Sequence, residues 1–170
     1  VVKVRFTGGE PLVRKGFIDI VIRTRSLHPA LELCLTTNGL LLGNYIDDLE
    51  RLGVRKLNIS LDTISRERYR AITARDGLHD VLAAIDRALA AGFFDVKVNA
   101  VLFGDTMAEL DEYLDYFRGR DVTLRFIEKM PFVADEAGGP FLSSEALMGE
   151  LRARGELKRN MGTDTNVALM

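Results

Sequence analysis

The chain has one cysteine, Cys34, in 170 residues. That excludes an intrachain disulfide and any metal cage built from several cysteines of this stretch. Chains without disulfides suit a reducing compartment, so the expected location is cytoplasmic. Histidine is scarce too: His28 and His79 stand far apart in loop-like surroundings, as surface or capping residues do rather than metal ligands. No apolar run reaches the length of a membrane span, and no signal-peptide pattern opens the sequence. An excess of either charge is missing, with 23 Lys and Arg against 25 Asp and Glu. Nothing in that balance points to nucleic acid or an anionic membrane as a partner.

What is present is globular. Hydrophobic residues make up 47% and charged residues 28%, enough for a sizeable core in one domain. Alternating apolar positions predict strands over 2–6, 31–36, 55–61, 95–102 and 122–127. Helical spacing predicts helices over 16–27, 44–52, 65–72, 78–91, 107–117 and 144–154. In the longest of these, Leu78, Val81, Leu82, Ile85 and Leu89 fall on one stripe. Five strand–helix alternations without a hairpin turn predict an α/β fold of parallel strands joined by right-handed crossovers, either doubly wound or part of a barrel. The organised part is expected over 1–154. The stretch 155–170 has no period and reads as an irregular or disordered tail.

The first strand leads into Thr7-Gly8-Gly9-Glu10-Pro11. Paired glycines allow backbone conformations other residues avoid, and close approach of a ligand. Pro11 biases Glu10 away from the helical region, which holds its carboxylate at the strand end. Bare amides beside one fixed carboxylate suit a ligand carrying an amine and a carboxylate.

Every other strand also ends in polar residues, where sites form in βα-repeat proteins. The second strand gives Thr36, Thr37 and Asn38. The third gives Asn58, Ser60 and Asp62, and the fourth Lys97 and Asn99, each set on one face by period two. The fifth gives Arg125 and Glu128. Several of these sit in mid-strand of a sheet expected to be covered on both faces, and a polar pocket in a barrel mouth would satisfy them. Arg5, Lys97 and Arg125, on separate strands, would converge on an anion. Cys34 reads as a buried core thiol, and Ser65-Arg66-Glu67-Arg68 as a solvated helix face.

VRFTGGEPLVRKG, LTTNGLLL, LNISLDTISRERYRAIT, VKVNAVL and LRFIEKMPF follow one another in that order. In this combination the chain resembles the GTP 3′,8-cyclase family of radical S-adenosylmethionine (radical SAM) enzymes, which begins molybdenum cofactor biosynthesis. The resemblance covers most of 1–132. It implies a partial (β/α) barrel of the triosephosphate-isomerase type, with about five parallel strands and outer helices. It implies that Gly8, Gly9, Glu10 and Pro11 receive the methionine end of S-adenosylmethionine, that Ser60 contacts the same molecule, and that the backbone near Met130 meets its adenine. Arg5, Thr36 and Lys97 would lie toward GTP. Asn38, Asp62, Asn99 and Arg125 would order the site. The implied reaction begins with a 5′-deoxyadenosyl radical that takes hydrogen from the GTP ribose, and ends in a pyranopterin precursor.

The family also carries two [4Fe–4S] clusters on two cysteine triads, and neither triad is in these residues. A chain of these residues alone is therefore expected to be inactive, as a fragment of the cyclase. The alternatives are a non-catalytic S-adenosylmethionine- or nucleotide-binding or scaffolding remnant, and a fragment of another radical SAM enzyme such as a peptide-modifying one. In the family another βα unit precedes the first strand. Without it that strand is a bare edge, where pairing with a second copy is expected.

Overall fold

The computed structural model describes residues 1–129 and 142–155, and the backbone of 157–158 and 168–169. Strands and helices alternate as β1 (Lys3–Phe6), α1 (Phe17–Leu27), β2 (Glu32–Thr37), α2 (Ile46–Arg51), β3 (Val54–Ser60), α3 (Arg66–Thr73), α4 (Leu78–Ala90), β4 (Asp95–Leu102), α5 (Leu110–Phe117), β5 (Val122–Glu128) and α6 (Ser144–Ala153). Two short strands, β6 (Leu157–Lys158) and β7 (Ala168–Leu169), pair antiparallel. The longer strands form one five-stranded sheet in the order β1-β2-β3-β4-β5. β1 pairs parallel with β2, and β2 with β3. The α/β fold of parallel strands read from the sequence is therefore present, with β1 at the sheet edge. No helix of the described residues is long and apolar enough to cross a membrane.

Helix starts differ from the sequence reading in two places. Leu42–Asn44 and Thr106–Glu109 form tight 3₁₀ turns, and α2 and α5 begin only after them. In the second turn the Thr106 hydroxyl accepts from the Phe103 amide at 2.9 Å. That bond holds the chain in a turn where helical spacing alone would have begun the helix. Ser65 caps α3 as expected, its hydroxyl accepting from the Arg68 amide.

The chain divides into two compact units, Val1–Ser60 with Asp76–Val98, and Leu61–Arg75 with Asn99–Met170. In the first, Leu33, Leu35, Leu57, Ile59 and Val98 of the strands are buried, as are Phe17 and Val21 of α1, Ile46 and Leu49 of α2, and Val81 and Ile85 of α4. Each such side chain contributes roughly 1.5–3 kcal/mol by leaving water. Cys34 is fully buried, as read from the sequence. The α4 stripe is narrower than that reading. Leu82 and Leu89 are half-buried, while Ala84 and Ala88 take the buried positions. Small residues there bring α4 close to the 3₁₀ turn at Gly43, where an added Cβ would lie 3.9 Å from Ala84. Arg25 joins α1 to the turn before β3 by donating to the carbonyls of Leu52, Gly53, Pro29 and Leu31.

A bulge sets the faces of β3. Leu33 pairs with Val54 but Cys34 pairs with Lys56, so Arg55 is an extra residue. One inserted residue reverses the side-chain parity. Val54 thereby faces the same way as Leu57 and Ile59, and all three are fully buried.

In the second unit Leu102, Leu110, Leu114, Leu142, Leu147 and Leu151 form the core, with Leu124 and Phe126 packed on it. Glu128 serves α6: its carboxylate accepts from the Ser144 amide at 2.5 Å. Ser143 adds a hydroxyl cap on Ala146. Hydrogen bonds from the Ser144 side chain and then its amide hold the Glu128 carboxyl below its ordinary range. A residue read from the sequence as strand-end site chemistry is thus a helix cap.

Candidate functional site

The sheet of the first unit has one apolar and one polar face. The polar one carries Lys3 and Arg5 of β1, Glu32, Cys34 and Thr36 of β2, and Lys56, Asn58 and Ser60 of β3. On β4 the pattern repeats, with Val96 and Val98 buried and Asp95 and Lys97 half-buried. On this polar face Lys3, Arg5 and Ser60 are exposed while Cys34 and Asn58 are buried, so the covering expected of both faces is seen only in part.

The polar face is zoned. At its N-terminal end Glu32 bridges Lys3 at 2.8 Å and Lys56 at 2.9 Å. The two ammonium groups hold the Glu32 carboxyl well below its usual value, at about 2. Toward the C-terminal end Arg5 donates to the Thr36 hydroxyl at 3.3 Å, and Asn58 sits opposite Thr36 in register. Between the zones, burial pushes the Cys34 thiol up, which keeps it protonated and inert.

Because the folded-state value of Glu32 is depressed, its stabilisation is complete above the unfolded value near 4.5 and fades as pH falls toward about 2. Urea unfolding at stepped pH checks this. Glu32→Gln should remove that part of the acid dependence and leave the rest of the curve in place.

The Gly8–Pro11 turn closes the C-terminal end. Gly8 and Gly9 hold positive φ of 94° and 47°, and a Cβ on either would meet nothing within 4 Å. The glycines are there for the backbone path, and the turn faces open space. Glu10 is extended, at φ −123° and ψ 110°, as Pro11 dictates. Pro11 itself is buried at the start of a 3₁₀ turn.

Glu10 Oε1 accepts from the Leu12 amide at 3.1 Å and the Thr37 hydroxyl at 2.7 Å, and Oε2 accepts from the Asn38 amide at 2.7 Å. A carboxylate offers about four acceptor positions, so about one is left for a ligand amine. Thr37 also accepts from the Gly39 amide, and the Asn38 side chain from the Leu40 amide. The strand-end loops of β1 and β2 are therefore one hydrogen-bonded piece. The sequence reading placed Thr37 at a strand end without giving it a role. It is 2% exposed and holds the Glu10 carboxylate.

In the second unit Asp62 accepts from the Val101 amide at 2.8 Å. Burial raises its carboxyl above the ordinary range, against the opposing pull of that bond and of Arg68. The Asn99 Oδ1 is buried without a partner among the described residues, and an orphan acceptor of this kind calls for a donor. Arg125 is half-buried on β5. Met130 lies outside the described residues.

The run at Ser65–Arg68 is not wholly a solvated face. The Arg68 side chain is only 10% exposed and pairs with Asp105 and Glu109. Helical spacing carried no signal for this, because the partners lie some 40 residues away in another loop. No group of three or more His, Cys, Asp or Glu among the described residues would hold a metal ion.

The radical SAM superfamily model matches residues 1–117. GTP 3′,8-cyclase 1 of Pseudomonas aeruginosa is 43% identical over 155 residues, covering 89% of this chain and 47% of its own length. Molybdenum cofactor biosynthesis protein 1 of Drosophila melanogaster is 44% identical over 131 residues, covering 76% of this chain and 23% of its own. The chain thus spans less than half the length of these relatives. Among solved structures, Streptococcus suis SuiB bound to S-adenosylmethionine matches with a TM-score of 0.70 at 14% identity, over 89% of this chain and 37% of that one. A domain of a pyruvate-formate lyase-activating enzyme from Bacteroides vulgatus ATCC 8482 matches at 0.67 and 19% identity, over 88% of this chain and 90% of that one.

Proposed function

The chain belongs to the radical SAM superfamily, and from that premise we propose that it is the central barrel segment of a GTP 3′,8-cyclase. The observation that carries the reading is the C-terminal end of the polar face. There an open Gly8-Gly9 turn and a pinned carboxylate with room for one more donor lie in the same unit as cations that no carboxylate among the described residues neutralises. Arg5 bonds the neutral Thr36 hydroxyl, and Lys97 has no ion pair among the described residues.

S-adenosylmethionine fits these residues. Gly8 and Gly9 would take its methionine end by backbone, Glu10 its amine through the remaining acceptor position, and Ser60 would contact the same molecule. Pro11 would contribute by fixing the Glu10 backbone, and Met130 by meeting the adenine. Bound there, S-adenosylmethionine is the family's source of the 5′-deoxyadenosyl radical. GTP would lie toward Arg5, Thr36 and Lys97, its phosphates matched to the cations. Asn38, Asp62, Asn99 and Arg125 would order the surroundings.

An iron–sulfur cluster does not fit these residues. Each cluster needs three thiolates, and the one thiol present is buried in mid-strand of β2. No step through a cluster is derived for this segment, and the two clusters of the parent activity are part of the proposal for a longer protein. The edge position of β1 supports pairing with a further strand, from a second copy or from such a protein.

Titration with S-adenosylmethionine tests the reading. Wild type should bind. Gly8→Val should bind at least about tenfold more weakly, because a branched residue at φ 94° is strained by about 1–3 kcal/mol and projects into the space the ligand takes. Equal affinity of the two proteins, with unchanged circular dichroism, would refute the assignment.

A further inference from the structure

Thr37 ends the row Leu33, Leu35 and Thr37 that alternates along β2 toward its apolar side. All three are buried, and Thr37 is 2% exposed. A valine would fill the same space, so packing alone does not call for a hydroxyl there. A buried hydroxyl is tolerated only where its hydrogen bonds are made. Thr37 makes two, in series. The Gly39 amide donates to Thr37 Oγ1 at 3.1 Å. The hydroxyl proton is thereby left for Glu10 Oε1, at 2.7 Å.

The two carboxylate oxygens of Glu10 are used unequally. Oε1 also accepts from the Leu12 amide at 3.1 Å, so with Thr37 both of its acceptor positions are taken. Oε2 accepts from the Asn38 amide alone, at 2.7 Å. The free position is therefore on Oε2. Asn38 is held in turn, its side chain accepting from the Leu40 amide at 3.0 Å. Among the described residues no lysine or arginine pairs with Glu10. Neutral donors orient the carboxylate, and its charge is left for a cation of the ligand. All of these residues lie in the first compact unit.

We infer that Thr37 is a positioning residue for the proposed site: its hydroxyl closes Glu10 Oε1 and leaves Oε2 as the atom offered to a ligand ammonium. The inference rests on the functional reading above. With the other positions filled by donors, the group that enters must itself donate. An ammonium does so and brings the matching charge. The last torsion of a glutamate is broad, so a lost donor lets the carboxylate turn and spreads the free position over both oxygens.

Calorimetric titration of S-adenosylmethionine and of 5′-methylthioadenosine into wild type, Thr37→Val and Thr37→Ser tests this, joined to amide hydrogen exchange. 5′-Methylthioadenosine keeps the nucleoside and lacks the ammonium. Thr37→Val should bind S-adenosylmethionine about tenfold more weakly, bind 5′-methylthioadenosine as wild type does, and exchange faster at the Leu12 and Asn38 amides. Thr37→Ser keeps the hydroxyl and should recover most of the affinity. Thr37→Cys, a weaker donor of similar size, replaces the valine variant if that one fails to fold, with a smaller loss of the same pattern. Unchanged S-adenosylmethionine affinity, or an equal loss for both ligands, would overturn the positioning role. If wild type does not bind S-adenosylmethionine, the functional reading falls, and exchange at Leu12 and Asn38 decides alone. Faster exchange in the variant then upholds the orienting of Glu10 by Thr37, and unchanged exchange overturns it.

Discussion

Gly39→Ala is expected to destabilise the chain by about 2–4 kcal/mol. Gly39 holds φ 81°, which an alanine adopts only at a cost. Its added Cβ would lie 2.9 Å from Val81 Cγ1 and 3.1 Å from Ile59 Cγ2. Neither neighbour yields readily, for Val81 of α4 and Ile59 of β3 are both fully buried. The effect reaches the site. The Gly39 amide donates to Thr37, whose hydroxyl binds Glu10. A shifted Gly39 moves the acceptor pattern around that carboxylate. Urea unfolding reads the stability loss. The same substitution at Gly92, where φ is 65° and nothing lies within 4 Å of the added Cβ, isolates the backbone cost. A loss at Gly39 no larger than at Gly92 would show that the packing of α4 on this turn has been misjudged.

The fold was legible in the sequence because its signal is local. Period-two apolar residues predict β4 over 95–102, where it is found, and Leu110, Tyr113, Leu114 and Phe117, at helical spacing on α5, are buried as a set. The bulge at Arg55 was not legible, since an extra residue in a strand leaves the apolar count unchanged. The Gly8–Pro11 turn was readable because Gly and Pro restrict the backbone directly, and Glu10 is extended as they require. Two of its three donors were not, because Thr37 and Asn38 reach it across 27 and 28 residues. Arg68 was misread for the same reason: charge runs look alike whether their partners are water or a distant carboxylate. Glu128 shows the converse. A charged residue at a strand end marks a site only when nothing nearby in the fold claims it, and the first turn of α6 claims this one.

The proposed GTP site rests on the anion-facing side of the polar sheet. Glu32 neutralises Lys3 and Lys56 at one end, which leaves Arg5 and Lys97 as the cations offered to a ligand from the first unit. Lys97 sits on β4 between the buried Val96 and Val98, so its side chain belongs to the polar face. A charge-assisted bond to a phosphate contributes about 2 kcal/mol, or roughly 30-fold in affinity. Guanosine lacks the phosphates and would be indifferent to it. The decisive measurement is calorimetric titration of GTP and of guanosine into wild type and Lys97→Ala. The account predicts GTP binding by wild type, a loss of about 30-fold in the variant, and no difference between the two proteins with guanosine. GTP affinity unaltered by Lys97→Ala, or no GTP binding by the folded wild-type chain, would contradict it.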